Sequence, residues 1–237
     1  AMVALHKHFL IRRRAFDAIT VSDTPDDAKE VMSESGDHAI DEFDAKRILR
    51  SYGIPTTREY RVYSWKDILD GARDIGYPVA VKICSSKIMH KTEQGMVMLD
   101  ITDEAGLKRA YDKIRCRDEE SALLVSEMLK GDREFMAGVS SFPGFPPCVM
   151  FGLGGIFTEA LRDTVIRLAP LSRYDALSMM EALSSRALLG SYRGMMPVDK
   201  EALASILVAL GNVAINIPQI GEIDLNPIII VDGKPTV

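Results

Sequence analysis

Apolar residues return along most of this chain at one of two periods, and the changes of period mark where elements begin and end. Ala45, Ile48, Leu49 and Tyr52 recur at helical spacing, and Gly53 follows as a residue able to stop a helix. Ile54-Pro55 leads into a predicted strand at Tyr60–Tyr63. Ser64 is placed to cap a second helix with the apolar face Trp65, Ile68, Leu69, Ala72 and Ile75, ended by Gly76-Tyr77-Pro78. Val79–Ile83, Met96–Ile101 and Ala122–Glu127 read as strands, and Asp103 as the cap of a helix carrying Leu107, Ala110, Tyr111 and Ile114.

A second set follows. Phe135–Val139, Cys148–Phe151 and Thr164–Ala169 are predicted strands. Tyr174, Leu177, Met180 and Leu183 mark a helix, and Asp199 caps a longer one carrying Leu203, Ile206, Leu207, Leu210 and Val213. Glu222–Val231 reads as a strand turning near Asp232-Gly233. Helices and strands alternate in both halves, so the expected fold is α+β, with two small lobes and a cleft between them. The first lobe is expected over 39–127 and the second over 128–237. Residues 1–38, with Arg12-Arg13-Arg14 and then the polar, acidic Ser22–Asp37, read as a tail or interdomain linker with room for one short helix.

Composition narrows the class. The 237 residues suffice for one large or two small cores, and 47% hydrophobic with 27% charged residues is ordinary for a globular protein. Net charge is −5 with both signs mixed, so no nucleic-acid surface is expected. No apolar run approaches the roughly 18 residues a membrane span needs, and no membrane partner is expected. Cys84, Cys116 and Cys148 are odd in number and far apart, without metal spacing or a disulfide framework, which suggests a reducing cytoplasm.

Five features could carry chemistry. Phe151-Gly152-Leu153-Gly154-Gly155-Ile156-Phe157-Thr158-Glu159 is a glycine run behind an apolar strand. It lacks the third glycine of a dinucleotide loop, where Phe157 stands, and the Lys-Ser/Thr of a P-loop; phosphate binding and a tight structural turn both fit. Lys82 sits inside the apolar strand with Ala80 on its own face, either facing solvent or aimed at a phosphate. Glu127 and Glu134 bracket a segment that could join the lobes, although glutamates at strand ends are commonly just solubilising. His90, beside Lys91, lies in the polar stretch Cys84–Gly95; it is a surface histidine or a nitrogen nucleophile for a phosphoryl group. Glu222, Asp224 and Asn226 share one face of a strand, and three oxygen-bearing side chains there favour a hard cation such as Mg²⁺ over plain exposure.

In order, Ala45-Lys46-Arg47-Ile48-Leu49…Tyr52-Gly53-Ile54-Pro55, Gly76-Tyr77-Pro78-Val79-Ala80-Val81-Lys82-Ile83, Ile88-Met89-His90-Lys91, the glycine run, Arg167-Leu168-Ala169-Pro170-Leu171, Tyr192-Arg193-Gly194 and Glu222-Ile223-Asp224-Leu225-Asn226-Pro227 form seven blocks. Together they resemble the ATP-grasp module of NDP-forming acyl-CoA synthetases, the β-subunit type of ADP-forming acetate–CoA ligase related to the succinyl-CoA synthetase β subunit. The resemblance covers residues 41–237. It implies an ATP-grasp fold with ATP or ADP between the lobes, and a ligase reaction, acyl-CoA + phosphate + ADP ⇌ carboxylic acid + CoA + ATP. It further implies Lys82 on the phosphates, backbone groups of Glu127, Met128 and Leu129 on the adenine, and Glu134 on the ribose. Asp224 and Asn226 would hold Mg²⁺, His90 would carry the phosphoryl group with Glu222 and Asp224 steadying it, and Arg167 with Gly152, Gly154 and Gly155 would stabilise charge.

A CoA-binding subunit or fused domain is the implied partner, making the chain part of a hetero-oligomer or of a longer polypeptide. Thr92-Glu93-Gln94-Gly95-Met96 departs from the family's Ser-Asp-x-Gly-Gly run, and the chain stops at Val237 about where a further metal-ligating aspartate is expected. Those departures favour another reading, a regulatory or scaffolding ATP-grasp-like domain of a larger acyltransferase; a second alternative is an ATP-grasp carboxylate–amine ligase, in which His90 would have no covalent role.

Overall fold

The computed structural model describes residues 23–35, 40–85, 95–155 and 163–237. These divide into two units. Residues 25–132, joined by 236–237, form the first, and residues 133–235 make up the body of the second.

In the first unit, α1 (Asp26–Ser35) and α2 (Glu42–Ser51) precede β1 (Glu59–Val62), α3 (Trp65–Ile75), β2 (Val79–Cys84), β3 (Val97–Ile101), α4 (Glu104–Arg115) and β4 (Ala122–Glu127). Ser64 and Asp103 cap their helices as the pattern marked, and Asp41, which it did not mark, caps α2. The side chains of Asp41, Ser64 and Asp103 accept hydrogen bonds from the backbone N–H groups of Asp44, Asp67 and Gly106, each satisfying a donor the helix itself cannot. The four strands lie in the order β1-β4-β2-β3, antiparallel throughout. Val62, Val79, Val81, Ile83, Leu123 and Val125 turn one face of this sheet to α3 and α4, where Ile68, Ala72, Leu107 and Ile114 close the core. The period of two puts Ala80, Lys82 and Cys84 on the other face, in register with Ser126, Leu124 and Ala122.

That second face meets α2, and it does so largely through charge. Arg61 reaches Asp44 at 2.8 Å and Asp41 at 3.2 Å, and its guanidinium stacks 4.7 Å from the centre of the Phe43 ring. Helix α1 falls inside the stretch read as a tail. Ala28 and Val31 are fully buried and the helix packs on α2, so residues 26–35 belong to the folded unit. Their two buried apolar positions are too few to raise a periodic signal, and only the packed partner reveals them. At the other end, the Val237 N–H donates to Pro55 and the Thr57 N–H to the Val237 carbonyl, so the last residues return to this unit.

The second unit holds β5 (Arg133–Ser140), β6 (Cys148–Leu153), β7 (Thr164–Leu168), α5 (Arg173–Ala182), a 3₁₀ turn at Arg186–Leu189, α6 (Lys200–Asn216), β8 (Glu222–Val231) and β9 (Lys234–Thr236). Its sheet order is β7-β6-β5-β8-β9. Phe135, Ala137, Val139, Val149, Phe151 and Leu225 line the face covered by α5 and α6, and the Phe135 and Phe151 rings stack 5.6 Å apart. The division between units falls after Asp132, five residues beyond the boundary expected from sequence. The Met128 N–H donates to the Pro78 carbonyl, which keeps the end of β4 on the first sheet, and the second sheet starts at Arg133.

Candidate functional site

Register decides which candidate residues can act together in the second unit. Asp224 pairs with Gly138 and Glu222 with Ser140, Gly138 pairs with Met150, and Gly152 pairs with both Met136 and Thr164. All of these lie on the face of the sheet opposite α5 and α6, and the alternation along β5 and β8 adds Glu134 and Asn226. Glu222, Asp224 and Asn226 are exposed there, whereas Leu225 between them is buried. Partial desolvation, and then the neighbouring Glu222 carboxylate, push the Asp224 carboxyl above its ordinary value. A cation between the two would reverse that repulsion.

Among the described residues no three His, Cys, Asp or Glu side chains converge into a ready-made metal site. The donor set of one or two carboxylates and an amide oxygen still fits Mg²⁺. That ion keeps much of its shell in water or substrate phosphate and needs few protein ligands.

The glycine run splits by role. A Cβ on Gly154 would stand 2.6 Å from the carbonyl carbon and oxygen of Phe135, and the Gly154 N–H donates to the Glu134 carbonyl at 2.9 Å. A Cβ on Gly152 would meet the Asp163 carbonyl oxygen and Thr164 Cγ2 at 2.7 Å. Both glycines are therefore demanded by close backbone packing. Gly155 has φ +80° and lies against the Glu134 carboxylate, where a Cβ would come within 2.8 Å of Oε2. Asp163 lies beside Gly152, and its carbonyl accepts from the Leu153 N–H at 3.2 Å. Burial alone would raise its pKa, yet hydrogen bonds from Ser185 and Ser184 outweigh that and hold it below the usual carboxylate range.

Arg167 does not join this group. It pairs with Val149 and so belongs to the helix-covered face, and its guanidinium donates to the adjacent Ile166 carbonyl at 3.0 Å. Its distance in sequence from the glycine run carried no information about face; only the strand register does.

In the first unit, Lys82 lies on the α2 side of the sheet, and its ammonium is hydrogen-bonded to the Glu42 carboxylate. Glu127 Oε1 accepts from the Arg58 N–H at 2.7 Å, and the Glu127 N–H donates to the Arg58 carbonyl at 3.0 Å. The Glu127 carboxylate is thus tied to the sheet edge. His90 and Lys91 lie outside the described residues.

Two buried charged groups among the described residues escaped the sequence reading. Glu59 has a fully buried side chain whose pKa is raised by desolvation, against the pull of Lys46 at 3.0 Å. A glutamate at a strand start gives no sign of burial. Arg133, also buried, donates to the carbonyls of Leu188, Gly190 and Met196, fixing the segment that contains Tyr192-Arg193-Gly194.

Comparison with known proteins places this architecture. The ATP-grasp domain family matches residues 31–237. The chain is 36% identical over 210 residues to the β subunit of ADP-forming acetate–CoA ligase I of Pyrococcus furiosus, covering 85% of this chain and 90% of that one.

The chain belongs to the ATP-grasp family.

More narrowly, this ATP-grasp domain is of the kind found in ADP-forming acyl-CoA ligases. The ADP-forming 4-hydroxybutyrate–CoA ligase of Nitrosopumilus maritimus is 31% identical, with 86% of this chain matching 30% of the relative, so the same module also occurs within longer chains. A solved structure of the dinucleotide-forming acetyl-coenzyme A synthetase 1 of Candidatus Korarchaeum cryptofilum superposes with a TM-score of 0.77 at 34% identity, over 89% of this chain and 96% of that one. That protein is described in complex with coenzyme A and Mg-AMPPCP, its phosphohistidine segment pointing towards the nucleotide-binding site.

Proposed function

We propose that this ATP-grasp domain is the phosphoryl-transferring part of an ADP-forming acyl-CoA ligase, acting with a CoA-binding partner subunit or fused domain. The complete reaction is acyl-CoA + phosphate + ADP ⇌ carboxylic acid + CoA + ATP. This chain's share is exchange of a phosphoryl group between His90 and the nucleotide. In the direction of ATP consumption, a ring nitrogen of His90 attacks the γ-phosphorus, the bond to the β–γ bridging oxygen breaks, and ADP leaves; ATP synthesis reverses each step.

The observation that carries the reading is the row Glu222, Asp224 and Asn226, aligned on one sheet face with the Asp224 carboxyl raised by partial burial and then by its acidic neighbour. Asp224 and Asn226 are suited to hold Mg²⁺, which when bound neutralises charge on the phosphate oxygens. Glu222 would steady the imidazolium side of a phosphohistidine, the role the family resemblance gives it. Lys82 supplies a cation for the phosphates, and Glu134, beside Gly155, an acceptor for ribose hydroxyls. The base is assigned to backbone groups of Glu127, Met128 and Leu129. With the Glu127 carboxylate and N–H engaged by Arg58 and the Met128 N–H by Pro78, the carbonyls of Glu127 and Met128 and the backbone of Leu129 would serve it. Arg167 has no part in the scheme, since it belongs to the other face.

Calorimetry with Mg-ADP and Mg-ATP tests the assignment. Lys82→Ala removes a charge-assisted contact of about 1.5–3 kcal/mol, a roughly 10- to 150-fold loss of affinity. An unchanged dissociation constant would remove Lys82 from the nucleotide site.

A further inference from the structure

Lys82 ends a line of alternating charges on the α2 face of the first sheet. The line starts at Glu59, whose side chain is fully buried. Lys46, 11% exposed, donates to Glu59 at 3.0 Å and to Thr57 Oγ1 at 2.9 Å, and stands 3.6 Å from Glu42 one helical turn before it. Glu42 in turn accepts from Lys82, whose side chain is 22% exposed. Arg50 approaches the far side of Glu59 at 3.6 Å. The two carboxylates are thus matched by Lys46 and Arg50, and the line carries a net positive charge that Lys82 completes.

We infer that Glu42 is a positioning residue for the nucleotide site: it holds the Lys82 ammonium in place so that an incoming phosphate meets an ordered cation. The inference rests on the assignment of Lys82 to the phosphates. A lysine on a four-carbon stem loses considerable rotamer freedom when it is fixed. Ordering such a side chain during binding costs about 0.5–1.5 kcal/mol, which converts to a roughly 2- to 12-fold penalty in affinity. Glu42 imposes that order before the ligand arrives. Glu42 is itself held, because Lys46 is clamped between a buried carboxylate and a threonine hydroxyl. An ammonium has three N–H donors, so the bond to Glu42 leaves others for phosphate oxygens. Since Lys46 offsets the charge of Glu42, geometry outweighs the repulsion that carboxylate would exert on an anion.

The test is a double-mutant cycle on the full chain, read as Mg-ADP affinity by calorimetry, with a thermal melt of each variant to establish folding. Glu42→Ala is expected to weaken binding about fivefold. Glu42→Gln, which keeps an oxygen acceptor for the ammonium, is expected to remain within about twofold of the parent chain. In a Lys82→Ala background, Glu42→Ala is expected to have no further effect. Tighter binding in Glu42→Ala would make that carboxylate a competitor of the ligand and overturn the inference. An equal loss in both backgrounds would reduce Glu42 to a structural contact and overturn it as well. If Lys82→Ala alone leaves affinity unchanged, the assignment of Lys82 is what fails, and the role of Glu42 falls with it.

Discussion

Replacing Gly154 by alanine separates the two readings of the glycine run. The new methyl would stand 2.6 Å from the carbonyl carbon and oxygen of Phe135 and 3.0 Å from the Glu134 carbonyl carbon. Carbon atoms in favourable contact stand about 3.5–4.0 Å apart, so the strands must move by roughly 1 Å. The obstacle is backbone in the centre of the sheet, and no side-chain rotation relieves it. Such overpacking costs about 1–3 kcal/mol. The same displacement strains or breaks the bond from the Gly154 N–H to the Glu134 carbonyl, now 2.9 Å, worth about 1 kcal/mol net.

The sum, about 2–4 kcal/mol, lowers the melting temperature by roughly 5–15 °C in a chain of this size. Gly221→Ala is the control, because nothing lies within 4 Å of a Cβ there and its φ is unexceptional. It is expected to be neutral or stabilising by about 0.4–1 kcal/mol. Thermal melts of both variants, followed by circular dichroism, decide the matter. Equal melting temperatures would refute the close approach as the reason for Gly154 and return that residue to a purely phosphate-binding role.

Two pH experiments follow from the perturbed carboxyls. Glu59 titrates higher in the folded chain than in the unfolded one, so the folded state binds the extra proton and unfolding free energy falls as pH rises from the ordinary glutamate range through the raised value. Glu59→Gln should remove that loss; its stability relative to the parent, measured by urea titration, should climb with pH across that window, and a pH-independent difference would contradict the burial argument. The Asp224 carboxyl is raised too and must be ionised to hold a cation, so Mg²⁺-dependent nucleotide affinity should weaken as pH falls through a value above the usual aspartate range. Asp224→Asn should bind about tenfold more weakly and without that acid limb, and a parent-like pH profile in the variant would exclude Asp224 from the metal.

Much of this was legible in the sequence. The caps Ser64, Asp103 and Asp199 work as the pattern required, because a capping side chain acts over three residues and needs no tertiary context. The row Glu222, Asp224 and Asn226 was legible for a similar reason, since a period of two fixes its face. What local spacing cannot carry is which strand lies beside which. Arg167 falls on the wrong face only because it pairs with Val149, and Gly154 is explained only by the passage of Phe135 beside it. The Glu59–Lys46–Glu42–Lys82 line joins α2, β1 and β2, and the burial that gives it direction has no local sign in the sequence. The packing of helix α1 was hidden similarly, as its buried Ala28 and Val31 become a core only against α2.

The most direct measurement is chemical. The chain is incubated with Mg²⁺ and ATP labelled at the γ-phosphate, and the protein is then examined for phosphate stable to base and labile to acid, alongside His90→Ala. Label on the parent chain that appears with ADP release and vanishes in His90→Ala is the expected result. Nucleotide binding without labelled histidine, or label retained in His90→Ala, would contradict the phosphoryl relay.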